Sequence, residues 1–164
     1  TEQVVHSPLV DRFERGLMDR HQFMEGLATL AQLDPGQPLS LYESFYTDIF
    51  TPIDGMIEQL RRLQRNRQFG LALLSNTNEL HVDLLRRQIP TLFPLFDRLF
   101  LSMELGLRKP DASLFELVGR RLGVPPRNIR YWDDLPANVD GARRAGWVVR
   151  RFWDHRDLGS VTMI

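Results

Sequence analysis

The 164 residues predict an α/β protein, an all-helical segment over residues 1–52 followed by alternating strands and helices over 53–164. Three observations carry that reading. Up to Phe50, apolar residues recur at helical intervals. From Phe69 onward, short apolar runs of strand length alternate with helical patterns. Two of those later helical patterns stop at a glycine, Gly123 and Gly146, where a helix C-terminus favours one. Strands joined through helices imply right-handed crossovers and a mainly parallel sheet.

Each element has a local reason. Ser7-Pro8 opens a helix through Leu9, Val10 and Phe13, because serine caps exposed amides and proline suits the first turn. Asp19 and Gln22 form a capping-box pattern ahead of Phe23, Met24, Leu27, Leu30 and Ala31. Asp34-Pro-Gly-Gln-Pro38 predicts a turn, and Leu41, Phe45, Ile49 and Phe50 a third helix, broken at Thr51-Pro52. Met56, Ile57, Leu60 and Leu63 predict a helix whose other face presents Arg61, Arg62 and Arg65 to solvent.

The strands are expected at Phe69–Leu74, Arg98–Leu101, Ile129–Trp132 and Trp147–Phe152. Between them, helices are expected from about Glu79 to Gln88, from Asp111, as N-cap, to Leu122, and from Pro136 to Ala145.

Composition narrows the function. Twenty-one basic and 21 acidic residues cancel, which argues against a nucleic-acid binder, normally marked by a basic stripe. No apolar run reaches the roughly 20 residues that span a bilayer, and no signal-peptide pattern opens the chain. Without cysteine there is no disulfide or thiol chemistry, and a reducing cytoplasm is the default location. The four histidines (6, 21, 81, 155) are scattered without metal-ligand spacing. The basic count holds twenty arginines and one lysine, Lys109.

In open α/β sheets, ligands bind beyond the carboxyl ends of the strands. There the sequence places Ser75-Asn76, then Lys109-Pro110 beyond Gly106, then Asp133-Asp134. Taken singly, these have ordinary readings as a helix cap, an exposed loop lysine, and turn residues. Together they offer a hydroxyl, an ammonium and two carboxylates. That set suits a phosphate and a divalent cation, since Mg²⁺ is commonly held by one or two carboxylates with waters and phosphate oxygens.

LALLSNTNELH (71–81), SMELGLRKPDASLFE (102–116) and YWDDLPANVDGARRAGW (131–147) resemble motifs II, III and IV of the haloacid dehalogenase-like hydrolase superfamily. The resemblance is strongest to the branch of sugar-phosphate phosphatases and the soluble epoxide hydrolase N-terminal phosphatase domain, and covers residues 53 to 152. It implies a Rossmann-like core, a small helical cap over residues 1–52, and Mg²⁺-dependent hydrolysis of a small phosphorylated metabolite through an aspartyl-phosphate.

Carried over by position, Ser75 would bind a phosphoryl oxygen with Asn76 beside it. Lys109 would pair with the phosphoryl group and the nucleophilic carboxylate. Asp134 would bind Mg²⁺, Asp133 would assist through water or an indirect contact, and Asn138 would support them. A metal-free haloacid dehalogenase fits less well, because two adjacent carboxylates would repel a carboxylate substrate. A receiver-type domain places its acidic pair first along the chain, whereas here it comes last.

The family's first motif, a buried central strand ending in D-x-D that supplies the nucleophile, has no counterpart: the sequence contains no D-x-D. A gap in the sheet is therefore expected. Either that strand lies outside these residues, or the chain is a relative that only binds. Retention of Ser75, Lys109, Asp133 and Asp134 favours the first.

Overall fold

The computed structural model describes residues 7–32, 34, 37–47, 50–66 and 68–160. The helical segment begins with α1 (Pro8–Glu14), α2 (Arg20–Leu30) and α3 (Leu39–Thr47). The Ser7 hydroxyl accepts from the Val10 amide, and Asp19 and Gln22 complete their reciprocal box at the start of α2. The Asp34–Pro38 turn falls partly, and Ile49 wholly, outside the described residues. Phe13 and Phe23 stack with ring centroids 4.1 Å apart, within a cluster of Val10, Met24 and Leu27. Leu80, from beyond the first strand, joins that cluster, so the helices pack onto the α/β segment through it.

Helix α4 (Met56–Arg65) leads to β1 (Ala72–Ser75), α5 (Glu79–Gln88), β2 (Arg98–Leu101) and a one-turn α6 (Ser102–Leu105). Then follow α7 (Ala112–Leu122), β3 (Arg130–Asp133), α8 (Pro136–Arg144) and β4 (Val148–Arg151). Strand β1 is shorter than Phe69–Leu74 suggests. Leu71 instead exchanges hydrogen bonds with Asp97, donating to its carboxylate and accepting from its amide, both at 2.8 Å. Asp111 precedes α7 but makes no side-chain cap, because its carboxylate turns to Arg15, 2.9 Å away.

Strand β1 pairs in parallel with β2, and β3 in parallel with β4, Ser75 lying opposite Leu101 and Asp133 opposite Arg151. Among the described residues the two pairs share no strand-to-strand ladder. The sheet is divided, as the absence of a first strand leads one to expect.

The second core cluster lies under β3 and β4 and takes in Phe100 from β2. Phe115, Tyr131 and Trp147 form three mutual edge-to-face contacts with centroids 5.4 to 5.9 Å apart. Each such contact contributes about 0.5–1.5 kcal/mol beyond its buried area. Fully buried Leu114 and Val118 complete one face of α7. No helix among the described residues is long and apolar enough to cross a membrane.

Candidate active site

The carboxyl ends of β1 and β3 and the loop before α7 converge, and Asp133 is the centre. Alternation along β3 turns Tyr131 and Asp133 to the same buried side. All four contacts to the Asp133 carboxylate come from donors. Oδ2 accepts from the Lys109 ammonium at 2.7 Å and the Tyr131 hydroxyl at 2.5 Å; Oδ1 accepts from the Leu135 amide and the Asn138 side chain, both at 2.9 Å. Burial alone would raise the Asp133 pKa, but the Lys109 charge and these hydrogen bonds bring it below the ordinary carboxylate value. Burial and the adjacent carboxylate push Tyr131 far up, so its phenol remains a neutral donor.

Lys109 is not an exposed loop lysine: its side chain is 11 % exposed. The peptide bond to Pro110 is cis. Asn76 holds the Lys109 backbone at both ends, its Oδ1 accepting from the Lys109 amide at 2.7 Å and its Nδ2 donating to the Lys109 carbonyl at 2.9 Å. The Asn76 side chain thus holds the loop that carries Lys109, a role the sequence did not assign to it. Its amide is spent on the lysine loop, and only its backbone remains for an anion.

The helix-cap reading of Ser75-Asn76 also fails, because Asn78 caps α5, accepting from the His81 amide at 3.1 Å. The Ser75 hydroxyl makes only a long 3.4 Å contact to the neighbouring Asn76 carbonyl, which leaves it available to a ligand.

Asp134 is exposed and has no hydrogen-bond or ion-pair partner among the described residues. Beside it stands Asp133, whose oxygens are already occupied. No group of three carboxylate or imidazole ligands gathers among the described residues. One open carboxylate next to a held one fits a cation that keeps most of its shell as water and phosphate oxygen, which is the habit of Mg²⁺.

Two residues that open quoted stretches, Ser102 and Tyr131, were not singled out from sequence. Ser102 is fully buried, and its hydroxyl accepts from the Thr77 amide at 2.9 Å and donates to the Thr77 carbonyl at 3.1 Å. It ties the loop after β1 to the end of β2. Period-two alternation with Asp133 is the signal that could have found Tyr131. Ser102 offered no comparable signal.

The family model for haloacid dehalogenase-like hydrolases matches residues 7–146. The chain belongs to that family. Pyrimidine 5'-nucleotidase YjjG of Escherichia coli is 25% identical over 151 residues, a match covering 88% of this chain and 65% of that protein. Sesquiterpene phosphatase astK of Aspergillus oryzae is 27% identical over 146 residues, covering 88% and 72%.

Among solved structures, the HAD family enzyme bt-2542 from Bacteroides thetaiotaomicron, in complex with magnesium and inorganic phosphate, superposes with a TM-score of 0.80. At 20% identity, with 92% of this chain and 77% of that one covered, it shows a shared fold. The chain is thus a member of the HAD-like hydrolase family with phosphatase homologues, and it spans just under two thirds of the nucleotidase's length.

Proposed function

We propose that this chain carries the phosphate- and metal-binding half of a Mg²⁺-dependent phosphomonoester hydrolase acting on a small phosphorylated metabolite. The observation that supports it best is the Lys109–Asp133 pair, 2.7 Å apart and nearly buried, beside an open hydroxyl and an open carboxylate. A stability role alone gives no reason to leave Ser75 and Asp134 unspent around a buried ammonium.

In this reading Ser75 donates to a phosphoryl oxygen, and the Lys109 ammonium neutralises charge as it develops there. Asp134 would hold the magnesium, with Asp133 aligned behind it by Asn138 and Tyr131. Bound Mg²⁺ supplies further neutralisation of the phosphoryl oxygens. The helices of residues 1–52 would act as a cap that excludes water and selects the substrate. An aspartyl-phosphate route needs a carboxylate that no D-x-D of these residues provides. That carboxylate is proposed to arrive on a strand set between β1 and β3.

The lack of D-x-D favours one second reading, a binding module without turnover. Two measurements separate them. The 164-residue chain should bind inorganic phosphate in a Mg²⁺-dependent manner by titration calorimetry, without hydrolysing p-nitrophenyl phosphate. A chain extended through its upstream codons should hydrolyse it. Absence of phosphate binding would overturn the site; binding with no turnover by the extended chain would favour the module.

A further inference from the structure

Lys109 is gripped from a side that the phosphate chemistry does not explain. Gly16, just past the end of α1, has a left-handed backbone (φ +66°), and a Cβ there would collide with the Met103 carbonyl. That approach brings the end of α1 against α6, the turn that precedes the loop carrying the lysine.

Four ion pairs cross the contact or support it. Arg15 donates to Asp111 at 2.9 Å and to Asp11 at 3.0 Å. Arg108 donates to the other oxygen of Asp11 at 3.0 Å and lies 2.9 Å from the Glu14 carboxylate. These side chains are between 13 and 40 % exposed, so they form a half-buried network, unlike the solvent pair of Arg65 and Glu58, where both partners are about two-thirds exposed. Its members lie immediately before Lys109 and two residues after it.

We propose that Arg15 is a positioning residue for Lys109: through Asp111 on one flank, and through Asp11 and Arg108 on the other, it holds the loop so that the ammonium stays on Asp133. The catalytic meaning of that hold rests on the reading of Lys109 as the phosphoryl-binding group. The hold itself does not, so the two can be tested apart.

Because Lys109 is the only lysine, lysine-selective ¹³C/¹⁵N labelling of the full chain yields one side-chain signal by NMR. Arg15→Gln and Asp111→Asn cut the same link from opposite ends, which keeps the test open if one variant folds poorly. Each should speed proton exchange of the Lys109 ammonium with water several-fold and move its Cε line toward the position seen in Asp133→Asn. The double variant should go no further than Arg15→Gln alone, which already cuts both flanks. Arg65→Gln, which breaks a surface pair, should leave the signal unmoved.

If Arg15→Gln and Asp111→Asn lower the melting temperature but leave the Lys109 signal in place, the network is a staple for α1 and the proposal is wrong. Inorganic phosphate added with Mg²⁺ then tests the underlying reading alone. A Lys109 line indifferent to phosphate would reject the phosphoryl role and leave the positioning result standing.

Discussion

The two strand pairs hold their shares of the site by different means. The β3–β4 half rests on the aromatic trio of Phe115, Tyr131 and Trp147 and ends in a carboxylate surrounded by donors. The β1–β2 half has an open strand, with Ala72 exposed and Leu73, Leu74 and Ser75 only half-buried. It is secured at its end by two side chains that mimic backbone partners, Asn76 on Lys109 and Ser102 on Thr77. One half is organised before any ligand arrives. The other keeps a hydroxyl in reserve. The contrast separates residues that build the site from those that wait in it.

The largest effect should come from breaking the organised half. Asp133→Ala leaves a nearly buried ammonium, a phenol and two amide donors without their acceptor. Removing one partner of a buried pair costs about 3–5 kcal/mol, which urea denaturation would register. Overfilling the same half should cost less. A Cβ on Gly141 would lie 2.5 Å from the Phe115 ring and 2.8 Å from the Pro110 carbonyl, so Gly141→Ala should lose about 1–3 kcal/mol despite alanine's better helix propensity. Stability equal to the unsubstituted chain would mean that α8 and the Lys109 loop move apart freely.

On the open half, Asn76→Ala removes both anchors of the lysine backbone and should cost about 1–3 kcal/mol. It should also weaken phosphate binding, measurable by calorimetry. Acid gives a finer test. Asp133 has a lowered pKa, so the stability it contributes is complete above the ordinary carboxylate value of 3.8 and is lost as pH falls through its own lower value. The difference in melting temperature between the unsubstituted chain and Asp133→Asn should therefore be constant near neutrality and shrink only below that value. Ser75→Ala should be the quietest for stability, within about 0.5 kcal/mol, because its hydroxyl makes only one long contact. A clear drop in phosphate affinity with no loss of stability would sharpen the contrast; the reverse would erase it.

Much of this was legible from residues alone, for identifiable reasons. Helix starts at Ser7 and Asp19 follow from short side chains that satisfy nearby amides, an interaction contained within four residues, whereas the cap offered at Ser75-Asn76 falls instead to Asn78. The strands were visible as apolar runs, although β1 is trimmed to Ala72 because Asp97 competes for the backbone of Leu71. Asp111 does stand at the N-cap position, but its carboxylate makes no cap bond, being claimed by an arginine 96 residues earlier. Asn76, expected beside Ser75 in the phosphate loop, spends its side chain on the Lys109 backbone.

The sequence by itself determined the order of elements, the helical and alternating segments, and the identity of the hydroxyl, ammonium and carboxylates at the strand ends. Those depend on periodicity and local capping, which short stretches encode. Only the tertiary structure decided the assignments among them: Asn76 to the lysine backbone, Asp133 to four donors, Ser75 and Asp134 left open, and α1 bound to the lysine loop. Hydrogen-bond and ion-pair partners are chosen by proximity in space, and an amide or carboxylate satisfied by a distant residue looks, in sequence, the same as one waiting for a ligand.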